Sequence, residues 1–453
     1  MRAAIGAAGA AAFPILTGRE LSSASAYPRA ETSNSTETRY VSAAGSDSND
    51  GLTPGTAWAT VQNANLMLPV DRSVVLFRRG DTFYGELNLP FGCEVGAYGS
   101  GPRPILTMYK LLNRPGSWVE HSNGVWSIDL SSPDTHDGYT ASSDANIGFL
   151  LVDGEIKPNL KLDRQSLDAA WDFACDVQNH MLYVKASENP ALLARDIRAA
   201  PNGELGGSGG GVVRCERGSN DVHDVHITGS GSCGIMGSAA DVRIHNCLID
   251  YIGGSQLLAL DPTGETRYGN GIANWINVAR WTIENNEIAH VYDVAWSPQG
   301  MDAQDGPVSW QDLTFRNNDV HDCCQSLEFW SQSSNPKSLG FVRILVEGNR
   351  FERAGYGPFA EVRPNQEVRV HLLTYHLETP VDVTIQSNRF DDSFGAFSYH
   401  LTEPPAGYVT RNNAISLRAG HKLEYQRPET IEQAAAWRAV TGREQGSVFT
   451  ALR

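Results

Sequence analysis

One short alternation of apolar and polar residues recurs five times in the second half of the chain. Each copy reads apolar, polar, polar or small, Asn, any residue, apolar. The copies lie at 282–288, 314–320, 345–351, 384–390 and 409–415. Alternation with a period of two residues is typical of a β-strand rather than of a helix. Self-similarity at a period of roughly 20 to 50 residues indicates a repeat architecture.

The Asn that the copies share sets the register of the repeat. Its successive spacings are 32, 31, 39 and 25 residues, and the five positions are Asn286, Asn318, Asn349, Asn388 and Asn413. An earlier, degenerate copy at 243–249 has Cys247 in the Asn position. Asn is favoured in turns because its side chain bonds the nearby backbone, and stacked Asn side chains can bond along a ladder. We predict that the five Asn residues stack in one turn column.

A strand that turns at an Asn and stacks on its own next copy predicts an all-β fold. The form expected is a right-handed parallel β-helix, a pectate-lyase-like solenoid. A single coil leaves its strand edges and half of its apolar side chains exposed, so that only stacking stabilises it. The alternative is an antiparallel β-sandwich in which the turn Asn residues match by chance.

The segments around the repeat predict further elements. Residues 40–112 form an N-terminal cap and the first coils, with a short helix within 59–68. Residues 113–200 contain short strands between turns and predict an inserted antiparallel β subdomain. Residues 201–420 hold the parallel coils, opening with a Gly-rich, flexible return at 201–211. Residues 421–453 form a helical tail, with Thr430 as its N-cap and Gly442 as its stop.

The first residues have the pattern of an export signal. A basic Arg2 precedes an Ala/Gly-rich, mildly apolar stretch, and Ala24-Ser25-Ala26 fits a small-x-small cleavage site. We therefore expect a signal peptide at 1–26, a loose segment at 27–39, and a secreted or periplasmic protein. The alternative is a disordered N-terminal tail.

The composition argues against several classes of function, among them nucleic-acid binding and zinc or redox chemistry. Apolar residues make up 41% and charged residues 19% of the chain, as in an ordinary soluble protein. A net charge of −16 argues against a nucleic-acid partner. No apolar run after the N-terminus is long enough to predict a membrane span. Seven Cys occur without a C-x-x-C pair, so no zinc or redox site is supported. We expect no cofactor, no metal and a monomer.

The N-terminal region resembles a known group of proteins. The residues that carry the resemblance are Tyr-Val-Ser-x-x-Gly-Ser-Asp-x-Asn-Asp-Gly at 40–51, Trp58, Leu-Phe-Arg-Arg-Gly-Asp-Thr-Phe at 76–83 and Gly-Ala-Tyr-Gly-Ser-Gly-Pro-Arg-Pro at 96–104. This opening is similar to that of right-handed parallel β-helix carbohydrate-active proteins, among them glycoside hydrolase families 120 and 141. The resemblance implies the architecture, an insertion beside a substrate cleft and an acidic catalytic pair, without aligning a catalytic motif. Asp47, Asn49 and Asp50 could suggest calcium, but a Gly-terminated turn is the preferred interpretation because a bidentate Glu is missing.

The repeat region concentrates acids just after the Asn positions. Glu328, in Ser-Leu-Glu-Phe-Trp, and Glu361, in Phe-Ala-Glu-Val-Arg, each lie between apolar residues, so that strand alternation points both away from the core. They are 33 residues apart, about one coil. Strands of neighbouring coils lie ~4.8 Å apart, close to the carboxylate separation of retaining glycosidases. Asp293 and Asp302 are further candidates, with Asp305 in the same loop. Each acid taken alone has the alternative of a solvated surface residue.

Aromatic and basic residues near these acids predict the substrate contacts. Large aromatic rings suit sugar faces, with packing under loops as the alternative. The expected substrate-binding residues are Trp296, Trp330, Tyr268, His290, His321, Arg363 and His400. The sequence predicts a glycoside hydrolase acting on a polysaccharide or oligosaccharide. Two alternatives stay open: a polysaccharide lyase or uronate epimerase, and a non-catalytic carbohydrate-binding β-helix.

Overall fold

The computed structural model describes residues 37–69, 72–132, 144–203, 210–302 and 306–453. The expected signal peptide at 1–26, residues 27–36 of the expected loose segment, residues 204–209 of the expected flexible return and the candidate Asp305 lie outside the described residues. The last part of the segment expected to be loose is a strand, Glu37–Val41. It pairs in parallel with residues 73–77, and this pairing fixes its backbone.

Three sheets of parallel strands run through the described residues, and successive coils add strands to them in the order III, I, II. Sheet I consists of Glu37–Val41, Ser73–Arg78, Glu94–Tyr98, Asp221–His223, Ala240–His245, Val278–Glu284, Ser309–Gln311, Thr314–Arg316, Gly340–Glu347, Val381–Gln386 and Tyr408–Arg411. Sheet II consists of Thr82–Tyr84, Ile105–Thr107, His226–Ser230, Leu248–Ile252, Glu287–Val291, Asp319–His321, Arg350–Ala354, Arg389–Ser393, Ala414–Arg418 and Val448–Leu452. Sheet III consists of Leu87–Asn88, Gly211–Arg214, Cys233–Gly237, Ile272–Asn274, Val294–Met301, Gln325–Gln332, Leu372–Leu377 and Ser398–His400. The predicted parallel β-helix is confirmed.

The core is a continuous apolar column inside the coils. Alternation sends every second strand residue inward, where equivalent residues of neighbouring coils stack on one another. Phe351 stacks on Phe390, its partner on the next coil, with ring centroids 4.7 Å apart, and Trp296 of sheet III stacks on Phe315 of sheet I at 4.9 Å. Because these rings are covered by residues of other strands, the coils stabilise one another.

The five Asn residues form the predicted column, here called the asparagine ladder, at the turn between sheets I and II. The side-chain amide of each Asn donates to the side-chain oxygen of the next, from Asn286 to Asn318, Asn349, Asn388 and Asn413, at 3.0, 3.1, 2.9 and 3.2 Å. At the first end, Asn286 Oδ1 accepts from the backbone N–H of Cys247 at 2.9 Å.

The left-handed backbone conformation of the turn belongs to the residue before each ladder Asn. Asn285 has φ 56° and Asn317 has φ 53°, and Gly348 takes the same role at φ 67°. The repeated Asn therefore has a hydrogen-bonding role, while its predecessor has the conformational one.

The inserted subdomain contains two small sheets, mainly antiparallel. One contains Lys110–Leu111, Ile147–Val152, Glu155–Lys157 and Ile197–Pro201. The other contains Trp118–Glu120, Val125–Asp129, Leu160–Lys161, Phe173–Asp176 and Met181–Lys185. Asn146 joins the insert to the coils: its amide donates to the carbonyl of Gln256 at 2.8 Å, and its side-chain oxygen accepts from the N–H of Gln256 at 2.9 Å.

Helices occupy the ends and the loops. The α-helices are Val61–Met67, Pro190–Leu193, Pro358–Glu361 and Ala434–Thr441, and the 3-10 turns are Pro54–Thr56, Pro115–Ser117, Ser122–Gly124, Arg164–Ser166, Gln366–Val368 and Ile431–Gln433. Thr430 is the N-cap of the first helical turn of the tail, and Gly442, at φ 69°, ends its helix, as predicted. The tail is not helical throughout, because Val448–Leu452 pairs in parallel with Ala414–Arg418 as the last strand of sheet II. A two-stranded hairpin joins Ser255–Gln256 to Arg267–Tyr268. Within the described part of the chain, no helix has the length and apolarity that crossing a membrane requires.

Candidate active site

Glu328 lies on the outward face of sheet III. Its neighbours Leu327 and Phe329 belong to the coil interior, so alternation directs Glu328 away from the core, as predicted. Glu328 is nevertheless only 4% exposed. The face it occupies is therefore covered, and the cover comes from segments that interrupt the repeat.

Those segments close a small pocket around Glu328. The hairpin carrying Tyr268 contributes one wall, and the long connection between sheets II and III that carries Arg363 contributes another. The pocket encloses about 30 Å³, room for roughly one or two water molecules. It is lined by Leu257, Thr266, Arg267, Tyr268, Asn270, Asp293, Gln299, Glu328, Arg363 and Tyr375.

An ion pair joins two walls of the pocket. Arg363 Nη1 donates to Asp293 Oδ1 at 2.9 Å, and both side chains are largely buried. Arg363 also lies over the ring of Tyr292, 5.1 Å from its centroid, and Arg267 lies 4.5 Å from the same centroid. The buried ring of Phe359 contacts Tyr292 in turn. Packing on Tyr292 thus places Arg363 against the neighbouring residue, Asp293.

Arg267 fastens the hairpin wall to the insert. Its guanidinium donates to the carbonyl oxygens of Gly148 and Pro158, both in the insert, at 2.7 and 3.1 Å. It also donates to the carbonyl of Gly254 at 2.6 Å. Buried cations are tolerated where several oxygens accept from them. The insert is therefore a structural part of the pocket.

The two carboxyl groups of the pocket are electrostatically coupled. Burial and the charge of Asp293 raise the pKa of Glu328 to about 8, while Arg363 and a 3.3 Å hydrogen bond from Ser297 Oγ oppose the shift. Burial also raises the pKa of Asp293, against the effect of Arg363. Asp293 has the charged hydrogen-bond donor and Glu328 only a hydroxyl, so the negative charge resides on Asp293 and the proton on Glu328.

Three polar residues complete the pocket. Tyr268 donates its hydroxyl hydrogen to Asn202 Oδ1 at 2.7 Å and accepts from Ser232 Oγ at 3.0 Å, which fixes its ring. Burial and the neighbouring Glu328 raise the pKa of Tyr375 well above its usual range, so its phenol is neutral. Within the described residues, the buried Asn270 Oδ1 has no hydrogen-bond partner. The pocket therefore offers an acid, a carboxylate, a cation and hydrogen-bonding groups over one small volume.

The structure brings together four of the residues predicted for the site, Asp293, Glu328, Tyr268 and Arg363, and leaves Glu361 and Asp302 outside. Glu361 is the last residue of the short helix Pro358–Glu361 and is exposed, so the predicted strand position one coil from Glu328 is wrong. The residue that pairs with Glu328 on the next coil is Leu373. Asp302 follows the end of its strand, where Oδ2 accepts from the N–H of Ser334 at 2.9 Å. Neither acid lines the pocket.

The predicted tryptophans are packing residues. Trp296 is fully buried in the coil interior, and its indole N–H donates to Asn274 Oδ1 at 2.7 Å. Trp330 points outward but is covered, with its ring centroid 6.1 Å from that of Trp275. Neither presents a free ring face to a sugar: Trp296 packs inside the coils, and the alternative interpretation, packing under covering segments, applies to Trp330.

The predicted histidines lie away from the pocket. His290 and His321 belong to sheet II, where His290 stacks on Tyr251 at 5.0 Å and His321 bonds Asp322 at 3.0 Å. His400 is buried in sheet III and its Nδ1 lies 2.8 Å from Thr374 Oγ1. Their nearness in sequence to the acids does not carry over to the fold, because each coil distributes its residues over three faces.

The pocket residues that the sequence prediction missed are Leu257, Thr266, Arg267, Asn270, Gln299 and Tyr375. Tyr375 had a usable signal: it lies two residues beyond Leu373, and alternation puts it on the face of Glu328. The signal was obscured because this coil is longer than the coil before it: Leu373 lies 45 residues beyond Glu328, whereas Leu327 lies 31 residues beyond Trp296.

The acids of the N-terminal turn are held by local bonds. Asp47 accepts from the N–H groups of Ala59 and Thr60 at 2.8 and 3.0 Å, at the start of the first helix. Asp50 accepts from Thr56 Oγ1 at 2.7 Å. These contacts agree with a structural turn.

No protein family matches this chain by sequence, and no curated protein does either. Its fold is similar to several solved structures, glycoside hydrolases among them. XylC, solved with xylose, gives a TM-score of 0.44 at 10% identity, over 84% of this chain and 69% of XylC. A structure described as a glycoside hydrolase gives a TM-score of 0.45 at 9% identity. The match covers 91% of this chain and 96% of that structure's chain. The GH136 lacto-N-biosidase from Eubacterium ramulus gives a TM-score of 0.35 at 12% identity. The match covers 92% of this chain and 67% of the lacto-N-biosidase chain. A likeness of this degree concerns the course of the chain and assigns no activity.

Proposed function

We propose that this protein is a glycoside hydrolase acting on a polysaccharide or oligosaccharide, with Glu328 and Asp293 as its catalytic pair. The observation that carries the proposal is the coupling of these carboxyl groups in one covered pocket, with Arg363 beside Asp293. Two carboxyl groups whose surroundings separate their protonation states are what glycosidic cleavage requires.

The roles follow from the protonation states. Glu328 holds a proton near neutral pH and donates it to the glycosidic oxygen as the bond to the leaving sugar breaks. Asp293 stays ionised beside Arg363 and stabilises the positive charge that develops on the sugar ring. It acts either as the nucleophile or as the general base that takes a proton from the attacking water molecule. Tyr375, with a neutral phenol, donates a hydrogen bond to a sugar hydroxyl.

Substrate entry requires movement of the pocket walls, because about 30 Å³ does not admit a sugar ring. The part of the hairpin wall that we propose to move is the loop between Leu257 and Thr266, while Tyr268 stays in place. Residues 258–265 are largely exposed, and the carboxylate of Asp261 accepts from the N–H groups of Thr263 and Thr266, within the same loop and at its end. The Arg267 end stays fastened to the insert.

A second candidate is β-elimination or epimerisation of a uronate. Arg363 is a buried cation beside Glu328, and within the described residues its Nε has no hydrogen-bond partner. A guanidinium in this position could neutralise a uronate carboxylate while a base removes the neighbouring proton.

The test is incubation of the purified protein with a panel of neutral and uronate-containing polysaccharides, with reducing ends and the ultraviolet absorbance of an unsaturated product both recorded. The hydrolase predicts new reducing ends without absorbance, and these are absent with Glu328→Gln. Reducing ends together with absorbance would identify a lyase instead. Binding without any product would identify the non-catalytic alternative.

Export is a further part of the proposal, supported by the small residues Ala24-Ser25-Ala26. Expression in a secreting bacterial host, followed by N-terminal sequencing of the secreted protein, should give a chain that begins near Tyr27. Secreted protein that still carries residues 1–26 would contradict it.

A further inference from the structure

A second, larger cavity lies on the other side of the hairpin wall. It is a groove open to solvent with a volume of about 670 Å³, within the range of sites that hold small ligands. The insert forms one side through residues 162–165 and 174–178, and the hairpin segment forms the other through Gln256, Leu258 and residues 262–263. It is far larger than the pocket around Glu328.

The two cavities share one wall. Along the hairpin, Leu257 lines the Glu328 pocket, whereas its neighbours Gln256 and Leu258 line the larger cavity. These residues lie at the end of the short strand Ser255–Gln256, where the hairpin turn begins, so the chain itself separates the pocket from the larger cavity. A chain molecule bound in the larger cavity would therefore lie next to the wall that has to move for Glu328 to be reached.

The lining of the larger cavity combines apolar surfaces with side chains that bond neutral groups. Leu162 is 54% exposed, and the ring of Tyr183 carries the guanidinium of Arg164 at 5.6 Å. Gln165 and Gln178 add exposed side-chain amides.

The two acids of the lining are engaged in local turns. Asp163 accepts from the N–H of Ser166 at 2.9 Å, and Asp176 from the N–H of Asn179 at 3.1 Å. The surface left for a ligand is the exposed aliphatic side chain of Leu162, bordered by two amides and by the guanidinium that covers the Tyr183 ring, and these groups suit the apolar faces and hydroxyl groups of sugar rings.

We propose that this cavity is an oligosaccharide-binding subsite, which holds the sugar units next to the bond cleaved at Glu328. The inference rests on the proposed function. It adds to that function a preference for chains over single sugars, supplied by the insert.

The test compares two double variants of the insert with matched composition. Leu162→Ala/Arg164→Ala removes two side chains of the cavity. Leu192→Ala/Arg195→Ala removes the same residue types from another exposed part of the insert, where Leu192 is 66% exposed. Each is assayed on the hexasaccharide of the sugar that the wild-type protein cleaves and on the 4-nitrophenyl glycoside of that sugar. Binding of xylohexaose, cellohexaose and mannohexaose is measured by calorimetry in a Glu328→Gln background.

The subsite predicts that the cavity variant raises KM for the hexasaccharide about fivefold or more, while kcat/KM for the nitrophenyl glycoside changes less than about twofold. The control variant should change neither. Equal effects on both substrates, or none, would overturn the subsite and leave the hydrolase intact. If the wild-type protein cleaves nothing but binds a hexasaccharide, loss of binding in the cavity variant supports the subsite against the hydrolase, and unchanged binding overturns the subsite. Absence of both cleavage and binding overturns both.

Discussion

The asparagine ladder and the Glu328 pocket are both buried polar assemblies on the same solenoid, and they differ in how their hydrogen bonds are completed. In the ladder, each Asn meets an identical residue on the next coil, and the chain of amides runs unbroken from Asn286 to Asn413. In the pocket, Glu328 meets Ser297 on one side and Leu373 on the other. The repeated coil forms the surroundings of the ladder, whereas segments inserted between the repeated strands form the surroundings of Glu328.

The two assemblies therefore have different expected roles, the ladder in the stability of the fold and the pocket in proton transfer. A satisfied buried polar network fixes the register of the coils and has no tendency to exchange protons. A buried carboxyl group that lacks a cation of its own has a raised pKa, and such groups cluster at functional sites. The ladder is therefore expected to affect folding alone, and the pocket activity above all.

The largest effect is expected from Glu328→Gln. Loss of the proton donor should reduce kcat by about 10²–10⁴-fold or more, because general acid help of that size disappears. Gln closely matches the protonated Glu in shape, so below pH 4.5, where this carboxyl group is protonated, the free energy of unfolding should change by less than about 1 kcal/mol. At higher pH the variant should be the more stable of the two proteins. Steady-state kinetics and urea unfolding measure the two quantities.

Glu361→Gln is the matched control for this substitution. Glu361 is exposed and does not line the pocket, so kcat should stay within about twofold of wild type. Loss of activity in Glu361→Gln with full activity in Glu328→Gln would move the catalytic acid to the connecting loop and end the present assignment.

The next effect concerns the ladder. Asn318→Ala removes the acceptor of the Asn286 N–H and the donor to Asn349 Oδ1, bonds of 3.0 and 3.1 Å. Buried groups left without partners cost about 1–3 kcal/mol each, so unfolding should become easier by about 2–4 kcal/mol. Activity per folded molecule should not change.

Asn317→Gly is the control, since Gly adopts φ 53° readily, and it should alter the stability by less than about 1 kcal/mol. Equal stability of both variants would show that the ladder does not hold the coils.

A smaller effect is expected on the pH dependence of stability. The pKa of Glu328 rises from 4.5 to about 8 on folding, so the folded state retains a proton that the unfolded state has lost in that range. Stability from this group is complete below pH 4.5 and falls as the pH rises towards about 8. Urea unfolding of wild type and Glu328→Gln across this range should show a steeper decline in the wild type. Parallel curves would indicate that Glu328 is ionised in the folded protein.

The sequence predicted the ladder and the parallel fold because both depend on repetition. The same short pattern recurs in each coil, so Asn286 and Asn318 can be placed in register from the pattern itself, although the spacing of the ladder residues varies between 25 and 39 residues. The same holds for the outward direction of Glu328, which depends on its two neighbours alone. The tail helix was predictable because Thr430 and Gly442 act locally.

The partner of Glu328 was not predictable because it depends on loop lengths. A constant coil length led to Glu361, but residues 355–371 form an excursion that delivers Arg363 to the pocket and moves the next strand 45 residues beyond Glu328. Trp296 failed as a sugar platform for a related reason. Its strand has buried residues on both faces, so burial could not be inferred from alternation.

The most direct measurement is the titration of the Glu328 carboxyl group by carbon-13 NMR, with labelled Glu and assignment by the signal lost in Glu328→Gln. We predict that Glu328 titrates with a midpoint near 8 in the wild type, against an ordinary value of 4.5. The midpoint should be lower when Asp293→Asn removes the neighbouring charge. A midpoint near 4.5 in both proteins would contradict the coupling of the two carboxyl groups, and with it the proposed catalytic pair.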